Sequence, residues 1–113
     1  MTDDISDRPW LTIPDLVEVL GIGQSRVRRL IEDRHLLAVR REGVLQVPAA
    51  FLEGSEPLHE LRGTIFVLSD AGFSDEEAVS WLLERDDTLD AAPVEALRSG
   101  RKTEVRRVAQ ALA

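Results

Sequence analysis

The chain has 113 residues, 43% hydrophobic and 31% charged, which suits one compact domain or a small module with a helical extension and excludes a largely disordered polymer. It has no cysteine, so neither a disulfide framework nor a thiolate zinc site is available. No apolar run approaches the roughly 18 residues of a membrane span, and the acidic stretch after Met1 does not read as a signal peptide, so a cytoplasmic protein is expected. The net charge of −7 is unfavourable for a nucleic-acid ligand taken as a whole. Its distribution is not. Between Gln24 and Arg41, six arginines (Arg26, Arg28, Arg29, Arg34, Arg40 and Arg41) face only Glu32 and Asp33, a local +4 that leaves −11 for the remainder.

Residues 1–9, with Asp3, Asp4 and Asp7, read as a solvated acidic tail. Trp10 and Leu11 open the ordered chain, and Thr12 is placed to cap a helix with Pro14 in its first turn. Ile13, Leu16, Val17 and Leu20 recur at i, i+3, i+4 and i+7, so a short amphipathic helix is predicted from Ile13 to Leu20, ended by Gly21. Only Gly21, Ile22 and Gly23 separate it from a second helix, predicted from Gln24 to Asp33 with Val27, Leu30 and Ile31 inward. Two short helices across a tight glycine turn make a helix-turn-helix unit. Alone, the pattern also fits a small hairpin in any all-α domain. The next segment decides between them. Leu36 to Arg40 and Val44 to Val47 read as strands about an Arg41-Glu42-Gly43 turn, ended by Pro48, a β-hairpin where a wing belongs.

The run LTIPDLVEVLGIGQSRVRRLIEDRHLLAVRREGVLQVPAAFL, from Leu11 to Leu52, resembles the excisionase and MerR-type winged helix-turn-helix families. It has their helix ending in Leu-Gly, a second helix with Val-x-x-Leu-Ile, Ala-Val-Arg on the first wing strand, and a closing strand into Pro. One departure is Gly23, which stands where a Ser or Thr ordinarily caps the recognition helix. Glycine is a workable cap but offers no hydroxyl to a phosphate.

The second half, residues 53–113, reads as helical throughout. Leu58, Leu61, Ile65, Leu68 and Ala71 form one face up to Gly72; Ser74 and Glu77 form a capping box before Ala78, Trp81 and Leu82. A link through Asp90 leads to a short turn from Pro93 to Leu97, and Val105, Val108, Ala109 and Leu112 mark a last helix. Together with the wing, the strings IFVLSDAGFSDEEAVSWLL, PVEALRSG and EVRRVAQALA resemble a family of small actinobacterial DNA-binding proteins. That resemblance implies phosphorylation of an N-terminal threonine by a membrane Ser/Thr protein kinase, for which the tail offers Thr2 and Ser6. More loosely, the order Trp81-Leu82, Leu89, Pro93, Leu97, Gly100, Val105 is similar to the toxin-binding domain of certain antitoxins.

The fold expected is mainly α with a small β-hairpin wing: a winged helix-turn-helix over residues 10–52, then a C-terminal helical region packed on it or offering a partner surface. No catalytic constellation is visible. His35 and His59 lie far apart in sequence, tyrosine is absent, and Asp75, Glu76 and Glu77 suit the positive end of a helix dipole. No enzyme, metal or cofactor is therefore expected. For double-stranded DNA, a turn of about 100° per residue puts Ser25, Arg28, Arg29 and Glu32 outward, with Gln24 at the helix start and Glu32 within reach of Arg28. Gln24, Ser25, Arg26, Arg28, Arg29, Arg40 and Arg41 form the predicted DNA-binding set, the last two at the wing tip. Arg101, Lys102, Arg106 and Arg107 make a second basic cluster on the last helix. The reading is a transcriptional regulator or nucleoid-associated factor; the alternatives are an antitoxin-like protein holding a partner on its C-terminal helices and an excisionase-like DNA-bending factor.

Overall fold

In the computed structural model, which describes residues 8–112, the chain enters through a short strand, β1 (Trp10–Thr12), and turns directly into helix α1 (Ile13–Leu20). Thr12 closes β1 and caps α1 at once: its Oγ1 accepts from the Asp15 amide at 3.3 Å, and its own amide donates to Asp15 Oδ2 at 3.0 Å. This is a capping box with Asp in the place of the usual Glu or Gln. Gly21 ends α1 as expected, and α2 (Gln24–Glu32) starts from Gly23 with no side-chain cap.

Leu36 and Leu37, expected in the first wing strand, are instead fully buried linker residues, and β2 begins only at Val39. β2 (Val39–Arg41) and β3 (Val44–Pro48) pair antiparallel with Arg41 opposite Val44, which leaves Glu42 and Gly43 as a two-residue turn. Both have positive φ, 53° and 80°, the type I′ geometry whose twist matches the strands it joins. β1 pairs with the other edge of β3, giving a three-stranded sheet in the order β1-β3-β2. The sequence carries no local signal for that third strand.

After a 3-10 turn (Ala49–Phe51) comes a feature that contradicts an all-helical second half. A small hairpin, β4 (Leu52–Glu53) and β5 (Glu56–Pro57), turns at Gly54-Ser55, where Gly54 has φ 64°. Helices α3 (Leu61–Asp70), α4 (Asp75–Leu83), α5 (Pro93–Arg98) and α6 (Lys102–Ala111) complete the chain. The Ser74/Glu77 capping box at α4 is present, and the Ser74 amide that donates to Oε1, with the Ser74 hydroxyl beside it, holds the Glu77 carboxyl below its ordinary range.

The two halves share one continuous apolar core, running from Leu16 and Val27 through Leu37 and Phe51 to Ile65, Leu82 and Val105. Arginines stitch its rim. Arg98 donates to the Ala50 and Leu52 carbonyls (2.9 and 2.8 Å), Arg62 to the Asp33 carbonyl (2.7 Å), and Arg34 to Asp75 Oδ1 (3.0 Å). Arg8, placed by the sequence in the tail, donates to the Leu83 carbonyl at 3.0 Å, and the Pro9 carbonyl accepts from Ala49. The rest of the expected tail, with Thr2 and Ser6, lies outside the described residues.

Three of the four cations in the C-terminal basic cluster, Arg101, Lys102 and Arg106, are occupied within the fold. Arg101 binds Glu104 and the Leu89 carbonyl; Lys102 and Arg106 both reach Glu60 at the start of α3. Arg106 passes over Gly63, where a Cβ would meet its Cζ at 2.8 Å. Alanine there would gain helix propensity worth about 1 kcal/mol but displace a guanidinium whose charged hydrogen bonds are worth roughly 1.5–3 kcal/mol. Gly63→Ala should therefore destabilise the wild-type chain by about 1 kcal/mol yet stabilise an Arg106→Ala chain by a similar amount. Urea melts of the four proteins read that reversal of sign.

Glu60 also carries a pH dependence. Its hydrogen bond with His59 (3.1 Å), with the charges of Lys102 and Arg106 behind it, outweighs burial and lowers its pKa from the ordinary 4.5. A lowered folded value means that the unfolded chain binds more protons in the window between the two. The contribution is complete above the ordinary glutamate value and is lost as pH falls through the lowered one. Denaturant midpoints measured from pH 7 down to pH 3 should fall less steeply in Glu60→Gln than in wild type, from a lower start.

Candidate nucleic-acid interface

Helix α2 buries Val27 completely, half-buries Leu30 and Ile31, and exposes every polar residue between Gln24 and Glu32. With about 100° per residue, Ser25, Arg29 and Glu32 point straight away from the core, Gln24 and Arg28 lean to one flank, and Arg26 leans to the other. The flanks meet different surroundings.

On the first flank an open groove of about 320 Å³ runs between α2 and the wing. Gln24 and Arg28 form one wall, Arg40, Gly43 and Val44 the other, and the start of α1 closes one end. Among the described residues no carboxylate lines it. Arg40 is exposed and folds toward the turn, donating to the Gly43 carbonyl at 3.3 Å. Val44, 47% exposed, is an apolar side chain on the groove wall that the sequence pattern alone does not single out. Its alternation with half-buried Leu45 is the signal that was available.

On the second flank, Arg26 and Arg29 share a groove with Ser55 and Glu56 of the β4–β5 hairpin. Arg29 and Asp33 pair at 3.8 Å, exposed at both ends (77% and 54%); of the two places the sequence left open for Glu32, past the groove or on Arg28, the pair with Arg28 does not form among the described residues.

The six arginines of the basic window thus divide. Arg26, Arg28, Arg29 and Arg40 are exposed around α2 and the wing. Arg34 occupies the left-handed position after α2, with φ 68°, and is drawn off to Asp75. Arg41 is the last residue of β2, directly before the wing turn, and its guanidinium lies 4.1 Å from the centre of the Trp10 ring. That stacking bridges the two edges of the sheet and is worth about 0.5–1 kcal/mol where exposed.

His35 and His59, remote in sequence, line one surface pocket together with Glu53, Glu56 and Arg62. Among the described residues no group of three or more His, Asp or Glu is arranged to hold a metal ion, and no helix is long and apolar enough to cross a membrane.

Two family models match the chain, one on each half. The first is the winged helix-turn-helix domain of DNA-binding protein Rv2175c, over residues 2–52; the second is the Rv2175c C-terminal domain of unknown function, over residues 58–113. The DNA-binding protein Rv2175c of Mycobacterium tuberculosis (strain ATCC 25618 / H37Rv) is 34% identical over 126 aligned residues, covering 98% of this chain and 86% of the relative. The chain belongs to the Rv2175c family of winged helix-turn-helix DNA-binding proteins. The NMR structure of Rv2175c superposes with a TM-score of 0.86 at 33% identity, again over 98% of this chain and 86% of that one. The Rv2175c-type winged domain carries the arginine groove, while the turn of the β4–β5 hairpin falls in the interval 53–57 between the two family models.

Proposed function

We propose that the protein binds duplex DNA with α2 in the major groove and the β2–β3 wing against the adjoining backbone, acting in the cytoplasm as a transcriptional regulator or nucleoid-associated factor. The carboxylate-free groove that joins Gln24 and Arg28 to Arg40 is the observation that carries this reading. Its depth and charge suit a phosphodiester strand passing between helix and wing. Gln24, at the start of the recognition helix, offers an amide to adenine, and Arg28, one turn further on, offers a bidentate fork to guanine. Ser25 and Arg40 serve phosphate oxygens, which fix register without reading sequence, while Arg26 and Arg29 add positive charge on the second flank of α2. Arg41, braced on Trp10, flanks the wing turn opposite Val44 and adds positive charge there. Membership in a family whose winged helix-turn-helix belongs to a DNA-binding protein supports the same assignment.

Selection of bound sites from random duplexes at two stated salt concentrations tests the proposal. An enriched motif of a few base pairs is expected. Retention that depends on salt but enriches no sequence would remove base reading by α2 and leave a backbone binder.

A further inference from the structure

The α2 helix is walled on both sides, and the two walls have opposite charge. The wing side presents Arg40 and no carboxylate. The other side is the β4–β5 hairpin, whose cross-strand register sets Glu53 directly opposite Glu56. Like charges facing across an antiparallel pair weaken the pair, and this hairpin has only two residues per strand. Neither glutamate closes an ion pair among the described residues, both are exposed, and Glu56 lines the groove that holds Arg26 and Arg29. Asp33 lies at the far end of the same flank, on Arg29.

On the reading that α2 docks on DNA, we propose that the β4–β5 hairpin is an electrostatic bar. Glu53 and Glu56 keep the phosphate backbone off the Arg26/Arg29 flank, so that the protein grips DNA from the wing side only and discriminates against random sequence. Phosphate binding is the sequence-independent part of affinity, so suppressing it on one flank raises the share that Gln24 and Arg28 supply through bases. Both glutamates also line the pocket that holds His35, His59 and Arg62, none of which forms an ion pair with either of them.

The test compares three full-length proteins by fluorescence anisotropy, on a random-sequence duplex and on a selected site, over a salt series: wild type, Glu53→Gln/Glu56→Gln, and Asp70→Asn/Glu84→Gln. The last pair removes the same charge from exposed positions at the ends of α3 and α4. For the hairpin variant, random-duplex binding should tighten about tenfold at low salt, and the salt slope should steepen by roughly 0.9–1.8 as one or two arginines are released to phosphate. The ratio of selected-site to random affinity should fall with it. The α3/α4 pair, which lines neither groove beside α2, should change random-duplex affinity by less than about twofold, because exposed charges away from the contact are screened by salt. A hairpin variant that matches the α3/α4 variant, or binds random duplex more weakly than wild type, overturns the inference. A wild-type protein that binds no duplex overturns the functional reading itself. Thermal melts confirm that the glutamines leave the fold intact; relief of the Glu53–Glu56 repulsion should leave the melting temperature equal or higher.

Discussion

Phe51→Ala is expected to lower the free energy of unfolding by about 3–5 kcal/mol, the usual effect of removing a large buried aromatic side chain. Phe51 has no solvent exposure and sits on the 3-10 turn between the winged sheet and the β4–β5 hairpin, its carbonyl accepting from the Leu58 amide at 2.8 Å. Its ring belongs to the apolar core common to both halves, so the cavity would be felt on both sides of the junction. The two tryptophans allow this to be seen directly, since Trp10 lies on β1 and Trp81 on α4, both half-buried against that core. In urea melts of the Trp10→Phe and Trp81→Phe chains, the remaining indole reports one half at a time. Coincident midpoints are expected, each displaced equally by Phe51→Ala, as a single cooperative unit requires. Separate midpoints, with only one moved, would divide the protein into two independently folding halves.

Helices α1 and α2 are legible because their apolar spacing and glycine boundaries are local signals, and the wing because its turn chemistry is. The strand β1 is not. Trp10-Leu11-Thr12 is too short to show alternation, and what makes it a strand is the free edge of β3, reached only after the chain has folded back. Leu36 and Leu37 mislead for a related reason: a short apolar run reads as strand, yet here it is the buried link that seats α2 against the second half. The β4–β5 hairpin, at two residues per strand, leaves almost no pattern beyond Gly54-Ser55. For the candidate site, exposure of Gln24, Ser25, Arg28 and Arg29 comes from the helix period alone. The fate of Arg34, Arg41 and Arg106 does not, because Asp75, Trp10 and Glu60 are brought to them by tertiary packing. Charge counted along a sequence does not distinguish a cation offered to a ligand from one already engaged.

That distinction shapes the largest functional effect expected. Arg28→Ala should weaken binding to a selected site by roughly 1–3 kcal/mol, about 5- to 150-fold, while changing random-duplex affinity far less, if its fork reads a base. Arg40→Ala should weaken all sequences alike and reduce the salt slope by about 0.9, as removal of one phosphate-neutralising cation requires. Arg28 and Arg40 border the carboxylate-free groove, whereas Arg26 and Arg29 share theirs with Glu56, so the wild-type slope should fall between about −1.8 and −3.6. The comparison on the opposite side of the molecule must be made with Arg107, which is exposed on α6, because removing Arg106 would free Glu60 and loosen α3. Arg107→Ala should leave affinity within a few-fold of wild type. Were Arg107→Ala the more damaging change, in protein whose thermal melt is unaltered, the nucleic-acid surface would belong to α6 and α2 would lose its role as the reader.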